Sequence, residues 1–261
     1  VVILAHPSIP QALQEAHQIS SFLKSKNVDS CVGVLDDAEL RRQVESGDCD
    51  LVILLGGDGT VLRAGHICAK SDVPILGINY GRFGFLMEIQ RTAWRSYLPR
   101  LLRGDFRYEK RMMLHAVHWR GDQILGEWEV LNEVVVCRGQ LVKPLHLSAS
   151  VDWHFLTTYV ADGLIASTPT GSTAYALAAG GPILPPELRN ILLIPVAPHL
   201  TVDRAIILSE GARVSICVKN DHPAVLSLDG QHPITIDQDD RVEAYGGDHT
   251  LRVVRFQDAG Y

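Results

Sequence analysis

The chain has 261 residues, 46% hydrophobic and 21% charged, and its 24 Lys and Arg against 30 Asp and Glu give a formal net charge of −6. This charge argues against a general nucleic-acid-binding surface, which needs clustered basic side chains to displace phosphate counterions. No apolar run approaches the roughly 18–20 residues of a membrane span, and the first residues lack the basic start of a signal peptide. We therefore expect a cytoplasmic protein that binds neither nucleic acid nor membrane.

The first part of the chain alternates short β-rich apolar runs with segments of helical periodicity. Strand-like runs lie at 1–4, 31–35, 51–55 and 75–78. This alternation is typical of βαβ units and predicts a parallel sheet. From about Met112 the pattern changes to strand-like runs separated by turn residues, which predicts a β-rich second domain.

The expected fold is therefore an α/β N-terminal domain with a parallel sheet, followed by a β-rich C-terminal domain. We place the boundary between residues 108 and 109, in a charged stretch after Gly104. The first domain then covers 1–108 and the second 109–261. The extreme C-terminus is a segment that could pack back on the first domain.

The strongest local motif is the GGDGT loop, residues 56–60, which stands between a predicted strand and a predicted helix. Glycine amides at the carboxyl end of a parallel strand and at a helix N-terminus suit a phosphate group. A carboxylate among them would repel phosphate unless it binds a metal ion or accepts a hydroxyl proton. Asp58 is therefore a candidate general base. The alternative is that Asp58 is a turn residue that caps the next helix.

Signatures of other enzyme classes are missing from the sequence. There is no GxxxxGK[ST] P-loop, no GxGxxG after the first predicted strand, and no GxSxG after a strand. This disfavours P-loop nucleotidases, dehydrogenases of the Rossmann type and serine hydrolases.

Two further motifs follow in the chain. The segment 77–86, GINYGRFGFL, follows a predicted strand, and Phe85 could cover a purine or nicotinamide ring. The alternative is that Phe83 and Phe85 anchor this loop in the core. Asn132 and Glu133 pair an amide with a carboxylate, which could read a base edge and hold ribose hydroxyls, although such a pair alone is more often a turn.

The most specific motif is the segment 162–175, DGLIASTPTGSTAY, which leads into a predicted short helix at 172–179. Its hydroxyl-rich loop, residues 167–173, carries more Ser and Thr than a helix cap needs. Such a loop could offer hydroxyl and amide donors to phosphates or amides, and Tyr175 could stack on a ring. The alternative is a Pro/Gly turn with ordinary capping.

Metal ligands are not apparent. The five Cys are dispersed without a CxxC pair, and the His residues show no ligand spacing, so the sequence indicates neither a disulfide framework nor a zinc site.

These four motifs in this order resemble the NAD kinase family, cytosolic enzymes that phosphorylate the 2′-hydroxyl of the adenosine ribose of NAD to give NADP. The resemblance covers essentially the whole chain and includes Asp229-Gly230-Gln231 near its end. GGDGT alone is shared with diacylglycerol-type and sphingosine-type lipid kinases, and the block STPTGSTAY separates this chain from them.

The resemblance implies site residues. Asp58 would deprotonate the ribose hydroxyl, Gly57 and Gly59 would lie close to the phosphoryl group, and Asn132 and Glu133 would contact the adenosine. The residues expected to line the dinucleotide pocket are Phe85, Asp162, Thr170, Thr173, Ala174 and Tyr175.

The resemblance also implies a divalent ion, usually Mg²⁺, with ATP or polyphosphate as phosphate donor and NAD as acceptor. The protein ligands of that ion stay unassigned, because the substrate phosphates would hold most of it. A homodimer or homotetramer is implied as well.

Three places depart from the family pattern: Phe83, the pair Asp152-Trp153 and the segment 202–205. Because of these three departures, the sequence does not determine the local shape of these segments or the preference for a particular phosphate acceptor. A kinase of another acceptor, such as a lipid, and a dinucleotide sensor without turnover are the rival functions.

Overall fold

The structure is a computed structural model that describes residues 1–81, 84–139, 143–199, 203–220, 222–231 and 233–256. Phe83 and Val202, two of the residues that depart from the family pattern, lie outside this range. The chain forms two compact units. Unit 1 comprises Val1–Arg111 and the described residues from His249 onward, and unit 2 comprises Met112–Asp248.

Unit 1 is built on a parallel sheet. Its strands are β1 (Val2–Ala5), β2 (Cys31–Val34), β3 (Val52–Gly56), β4 (Ile75–Asn79), β5 (Ile89–Gln90) and the last part of β17 (Arg241–Arg255). The order is β17-β4-β3-β1-β2, with β5 beside β4. Its helices are α1 (Pro10–Lys24), α2 (Ala38–Glu45), α3 (Asp58–Lys70) and α4 (Trp94–Leu102).

Burial explains why these segments form strands and helices. Every residue of β1, β3 and β4 is buried, as expected of a parallel sheet that helices cover on both faces. Helix α1 begins with Pro10 at a first-turn position and buries four apolar residues at helical spacing: Ala12, Ala16, Ile19 and Leu23. The α/β class expected for the N-terminal part of the chain is confirmed.

Unit 2 is β-rich. Its strands are β6 (Arg107–Arg120), β7 (Gln123–Val130), β8 (Glu133–Arg138), β9 (Leu145–Val151), β10 (His154–Ala161), β11 (Gly163–Ser167), β12 (Ile191–Val196), β13 (Ile206–Leu208), β14 (Arg213–Val218), β15 (Ala224–Leu228) and β16 (Ile234–Ile236). Strands β6 and β17 each have residues in both units. A 3₁₀ helix (Gly171–Thr173) and α5 (Tyr175–Ala178) complete it.

Two sheets of unit 2 share one apolar core. One sheet has the order β10-β9-β14-β17, and the other, all antiparallel, has the order β13-β12-β11-β8-β15-β16. Val134 and Val136 of β8 point into the core with Leu147 of β9, while Val135 packs on the opposite face against Ala176 of α5. This alternation along β8 is the period of a strand buried on both faces. The β-rich second domain is confirmed.

Among the described residues, the helices are too short or too polar for any of them to cross a lipid bilayer.

Tyr159 is an anomaly in the core of unit 2. Its side chain is fully buried, and its hydroxyl has no hydrogen-bond partner among the described residues. A buried hydroxyl without a partner loses its bonds to water and gains none in return.

We expect Tyr159→Phe to stabilise the protein by about 1 kcal/mol, because it removes the unpaired hydroxyl and leaves the ring in place. Urea unfolding followed by circular dichroism measures this difference. Tyr108→Phe, at a residue that is 43% exposed, is the matched control and should change stability little. A clear loss of stability in Tyr159→Phe would show that the hydroxyl has a partner.

Candidate active site

In unit 1 the GGDGT loop joins the carboxyl end of β3 to the N-terminus of α3. Gly57 is the N-cap residue, and its amide donates to Thr60 Oγ1 over 3.2 Å. The Asp58 carboxylate turns away from its own helix. Its Oδ2 accepts from the Phe85 amide over 2.9 Å, and its Oδ1 accepts from the Leu86 amide over 3.2 Å. The alternative that Asp58 caps the helix is therefore wrong.

These two hydrogen bonds join the GGDGT loop to the segment 77–86. The two motifs follow neighbouring parallel strands, β3 and β4, whose carboxyl ends lie at the same edge of the sheet. The Asp58 carboxylate is thereby fixed in direction by two charge-assisted bonds.

The three glycines Gly57, Gly59 and Gly84, which lie near Asp58, are of two kinds. A Cβ at Gly84 would stand 2.2–2.5 Å from three atoms of the Asp58 carboxyl group, so only glycine fits there. A Cβ at Gly57 or Gly59 would meet no described atom within 4 Å beyond its own chain neighbours and helix backbone. Packing within unit 1 therefore requires Gly84, whereas Gly57 and Gly59 leave open backbone at a helix N-terminus where an anion could approach.

Phe85 is 57% exposed. The alternative that it anchors the loop in the core is wrong, and its ring is free to cover a flat ligand.

In unit 2 the site is organised by a carboxylate that the sequence did not single out. Asp229, directly after β15, accepts hydrogen bonds from three successive amides, those of Leu131, Asn132 and Glu133, over 2.8, 2.7 and 3.1 Å. The sequence indicates Asp229 only as part of a family segment. The pairing of Leu228 with Val134 in the neighbouring strands brings it there, and that pairing cannot be read from local spacing.

Asn132 and Glu133 are 9% and 7% exposed. Asn132 Oδ1 and Glu133 Oε2 are buried and have no hydrogen-bond partner among the described residues. Since buried polar atoms are normally paired, these two atoms are suited to a ligand. Burial, with a smaller effect of the Asp229 charge, raises the pKa of Glu133 to about 8. A carboxyl group with this pKa is mostly protonated at neutral pH, so it can donate as well as accept a hydrogen bond.

The hydroxyl-rich loop packs against the same turn. Ser167 Oγ donates to the Asn132 carbonyl over 3.1 Å, and Thr168 Oγ1 donates to the Leu131 carbonyl over 2.6 Å. Ser172 Oγ donates to the Pro169 carbonyl over 2.6 Å. The expectation that these three hydroxyls donate to a ligand is wrong, because their protons hold the loop itself together.

The structure places the remaining predicted pocket residues around this loop. Thr170 is buried, and Thr173 Oγ1 donates to its carbonyl over 3.1 Å. The predicted helix at 172–179 is wrong in detail. Ala174, with φ −101° and ψ −124°, separates the 3₁₀ helix from α5.

Tyr175 begins α5 and is 41% exposed, so its ring is accessible. Asp162 pairs with Arg138, at 3.0 Å between Oδ1 and Nε. Burial raises the pKa of Tyr175, and the negative charge of Asp162 contributes to the rise.

Among the described residues, no three His, Cys, Asp or Glu side chains come together in a way that could hold a metal ion.

A glycine-rich loop with an oriented carboxylate in unit 1, and a buried amide–carboxyl pair in unit 2, are features suited to an enzyme that binds nucleotides. Comparison with known proteins identifies the class as a kinase. The ATP-NAD kinase N-terminal domain matches residues 7–106, and the ATP-NAD kinase C-terminal domain matches residues 131–256. An NAD kinase of Syntrophotalea carbinolica is 37% identical over 97% of this chain and 92% of its own length. The chain belongs to the NAD kinase family and is a kinase of that family.

Two solved structures share the fold. Yeast NADH kinase complexed with NADH has a TM-score of 0.85 and 23% identity, over 97% of this chain and 82% of that one. An NAD kinase from Archaeoglobus fulgidus in complex with ATP has a TM-score of 0.79 and 24% identity, over 98% and 93%. At this level of identity the likeness supports the architecture alone.

The raised pKa of Glu133 predicts a pH-dependent stability. Between pH 4.5, its ordinary pKa, and about 8, the folded protein keeps a proton that the unfolded chain has released. The contribution of Glu133 to the free energy of unfolding therefore falls as the pH rises from 4.5 to about 8. Glu133→Gln removes the titration, so the variant should gain stability over the native protein as the pH rises, by up to about 1.4 kcal/mol for each pH unit.

Urea unfolding at several pH values between these limits measures the difference. Glu127→Gln, at an exposed position of β7, is the control and should show no such trend. Parallel pH profiles for Glu133→Gln and the native protein would contradict a protonated Glu133.

Proposed function

We propose that the chain transfers the terminal phosphate of ATP, or of polyphosphate, to the 2′-hydroxyl of the adenosine ribose of NAD, giving NADP. Family membership supports the reaction and its two substrates. Two structures that share the fold were solved with NADH and with ATP, respectively. The observation that carries the proposal is Asp58, a carboxylate held by two amides beside glycines whose backbone is open.

In this proposal Asp58 is the general base. Each of its oxygens accepts one described amide, which leaves lone pairs to accept the proton of a ribose hydroxyl. As that proton moves to Asp58, the ribose oxygen forms a bond to the terminal phosphorus. The bond from phosphorus to the bridging oxygen breaks, and ADP keeps the electron pair.

The transferred phosphoryl group would lie against the backbone of Gly57 and Gly59, where a side chain would obstruct it. The amides at the N-terminus of α3 favour negative charge through the helix dipole. A divalent ion, which we propose to be Mg²⁺, would neutralise phosphate oxygens when bound with ATP.

The residues of unit 2 would bind the acceptor. Asn132 Oδ1 and Glu133 Oε2, both buried without a described partner, would pair with polar atoms of the adenosine. The exposed ring of Tyr175 would cover one of its flat groups, and Asp162, Thr170, Thr173 and Ala174 would line the rest of the pocket in this unit. In unit 1, the exposed ring of Phe85 would cover a flat group of a substrate.

The purified chain should form NADP from NAD, ATP and Mg²⁺, and phosphorus NMR of the product should place the new phosphate on the 2′ oxygen. Parallel reactions with polyphosphate and with NADH identify the donor and the acceptor. Asp58→Asn should lower kcat by about 100-fold or more, since an amide cannot take the proton. A folded Asp58→Asn variant with full turnover would contradict the assignment of Asp58 as the general base.

Gly59→Ala separates a ligand role from a packing role. Because a Cβ there meets no described atom beyond its own helix, the variant should be as stable as the native protein or up to about 1 kcal/mol more stable. Its kcat/KM should nevertheless fall about tenfold or more, as the methyl group obstructs the phosphate. Assays of both quantities on one preparation test this.

Gly84→Ala is the matched comparison, because its Cβ would meet the Asp58 carboxyl group. This variant should lose both stability and activity. Native activity in Gly59→Ala would argue that no phosphate approaches that residue.

A further inference from the structure

We propose that Arg255, near the end of the chain, is a positioning residue for Asp58 and acts through the Phe85–Leu86 segment. This inference rests on the proposed function, in which Asp58 takes the ribose proton.

The Phe85–Leu86 segment is bonded on two sides. Its amides donate to Asp58, and its carbonyls accept from the Arg255 guanidinium: Nη2 to the Phe85 oxygen over 3.1 Å, and Nη1 to the Leu86 oxygen over 3.4 Å. The Phe85 carbonyl and the Leu86 amide belong to one peptide group. That peptide group therefore stands directly between a cation and an anion.

This arrangement strengthens both bonds. A cation at the carbonyl oxygen polarises the peptide group and makes its N–H a better donor to the carboxylate on the other side. Arg255 thus contributes to holding Asp58, although the two side chains need not touch.

Arg255 is itself fixed in place. It is 7% exposed, and its guanidinium donates to Glu109 Oε1 over 3.1 and 3.2 Å and to Glu88 Oε2 over 3.1 Å. Burial alone would raise the pKa of Glu109, but the guanidiniums of Arg111 and Arg255 lower it below its ordinary value. Glu109 is therefore an ionised partner that keeps the Arg255 side chain in one orientation.

The space around the Asp58 carboxyl group is tightly filled, as the position of Gly84 shows. A single added carbon at Gly84 would overlap the Asp58 carboxyl group. A shift of the neighbouring Phe85–Leu86 segment by a comparable distance would therefore move or release the carboxylate. Loss of Arg255 would remove two hydrogen bonds that oppose such a shift.

The test compares Arg255→Met and Arg255→Lys with Arg252→Met. Arg252 lies on the same strand, but its Nε pairs with Asp72 at 2.8 Å, so the control removes a positive charge without touching the Phe85–Leu86 segment. Arg255→Met should lower kcat about 10- to 100-fold, as expected for a displaced catalytic group. The KM values for NAD and ATP should change less than about threefold, because substrate contacts persist.

Arg255→Lys should recover part of kcat, since an ammonium group keeps the buried charge and can reach one carbonyl. Arg255→Met could fail to fold, because a neutral side chain leaves Glu109 and Glu88 without the guanidinium that they accept from. In that case Arg255→Lys, which keeps the charge, provides the test. Arg252→Met should retain native kcat. Native kcat in folded Arg255→Met, or in Arg255→Lys if Met does not fold, would overturn the proposal.

Nitrogen-15 NMR separates positioning from a general structural effect. In the native protein the hydrogen bonds to Asp58 should move the Phe85 and Leu86 amide resonances downfield, and Asp58→Asn should reduce this displacement, because a neutral amide oxygen is a weaker acceptor than a carboxylate. Arg255→Met or Arg255→Lys should also reduce it, and Arg252→Met should not. A fall in kcat with unchanged amide resonances would overturn the positioning role. Full turnover in Asp58→Asn would refute the proposed base alone, while a reduced displacement in the Arg255 variants would still support the link.

Discussion

The hydrogen bonds between the Asp58 carboxylate and the amides of Phe85 and Leu86 are the constraint on which unit 1 depends. They connect residues 27 and 28 positions apart and orient a carboxylate at the N-terminus of a helix. The parallel sheet makes the contact possible, since β3 and β4 deliver both motifs to one edge. The same contact requires glycine at position 84, where a Cβ would overlap the Asp58 carboxyl group.

Unit 2 is organised in the same way, by a carboxylate that accepts hydrogen bonds from several backbone amides. Asp229 accepts three amides and so fixes the turn that carries Asn132 and Glu133. The hydroxyl-rich loop closes on the carbonyls of that turn. The negative charge of Asp229 also contributes to the raised pKa of Glu133. In both units a carboxylate organises the backbone of a second motif, and in unit 2 the turn held in this way carries Asn132 Oδ1 and Glu133 Oε2, two buried atoms without a described partner that are suited to a ligand.

Local pattern was enough to predict the parallel sheet and the β-rich domain, and the GGDGT loop could be located because it follows an apolar run. Composition does not reveal bond directions, so the sequence suggested Ser167 and Ser172 as ligand donors although both donate to backbone carbonyls. The roles of Asp229 and Arg255 could not be predicted, because their partners lie 96 to 98 and 169 to 170 residues away. Only the folded chain brings such pairs together.

The central claim is that Asp58 receives the proton of the adenosine 2′-hydroxyl of NAD. A crystal structure of the chain with NAD tests this most directly. We expect the 2′ oxygen within about 3.2 Å of an Asp58 carboxylate oxygen. A 2′-hydroxyl bound away from Asp58 would contradict the claim.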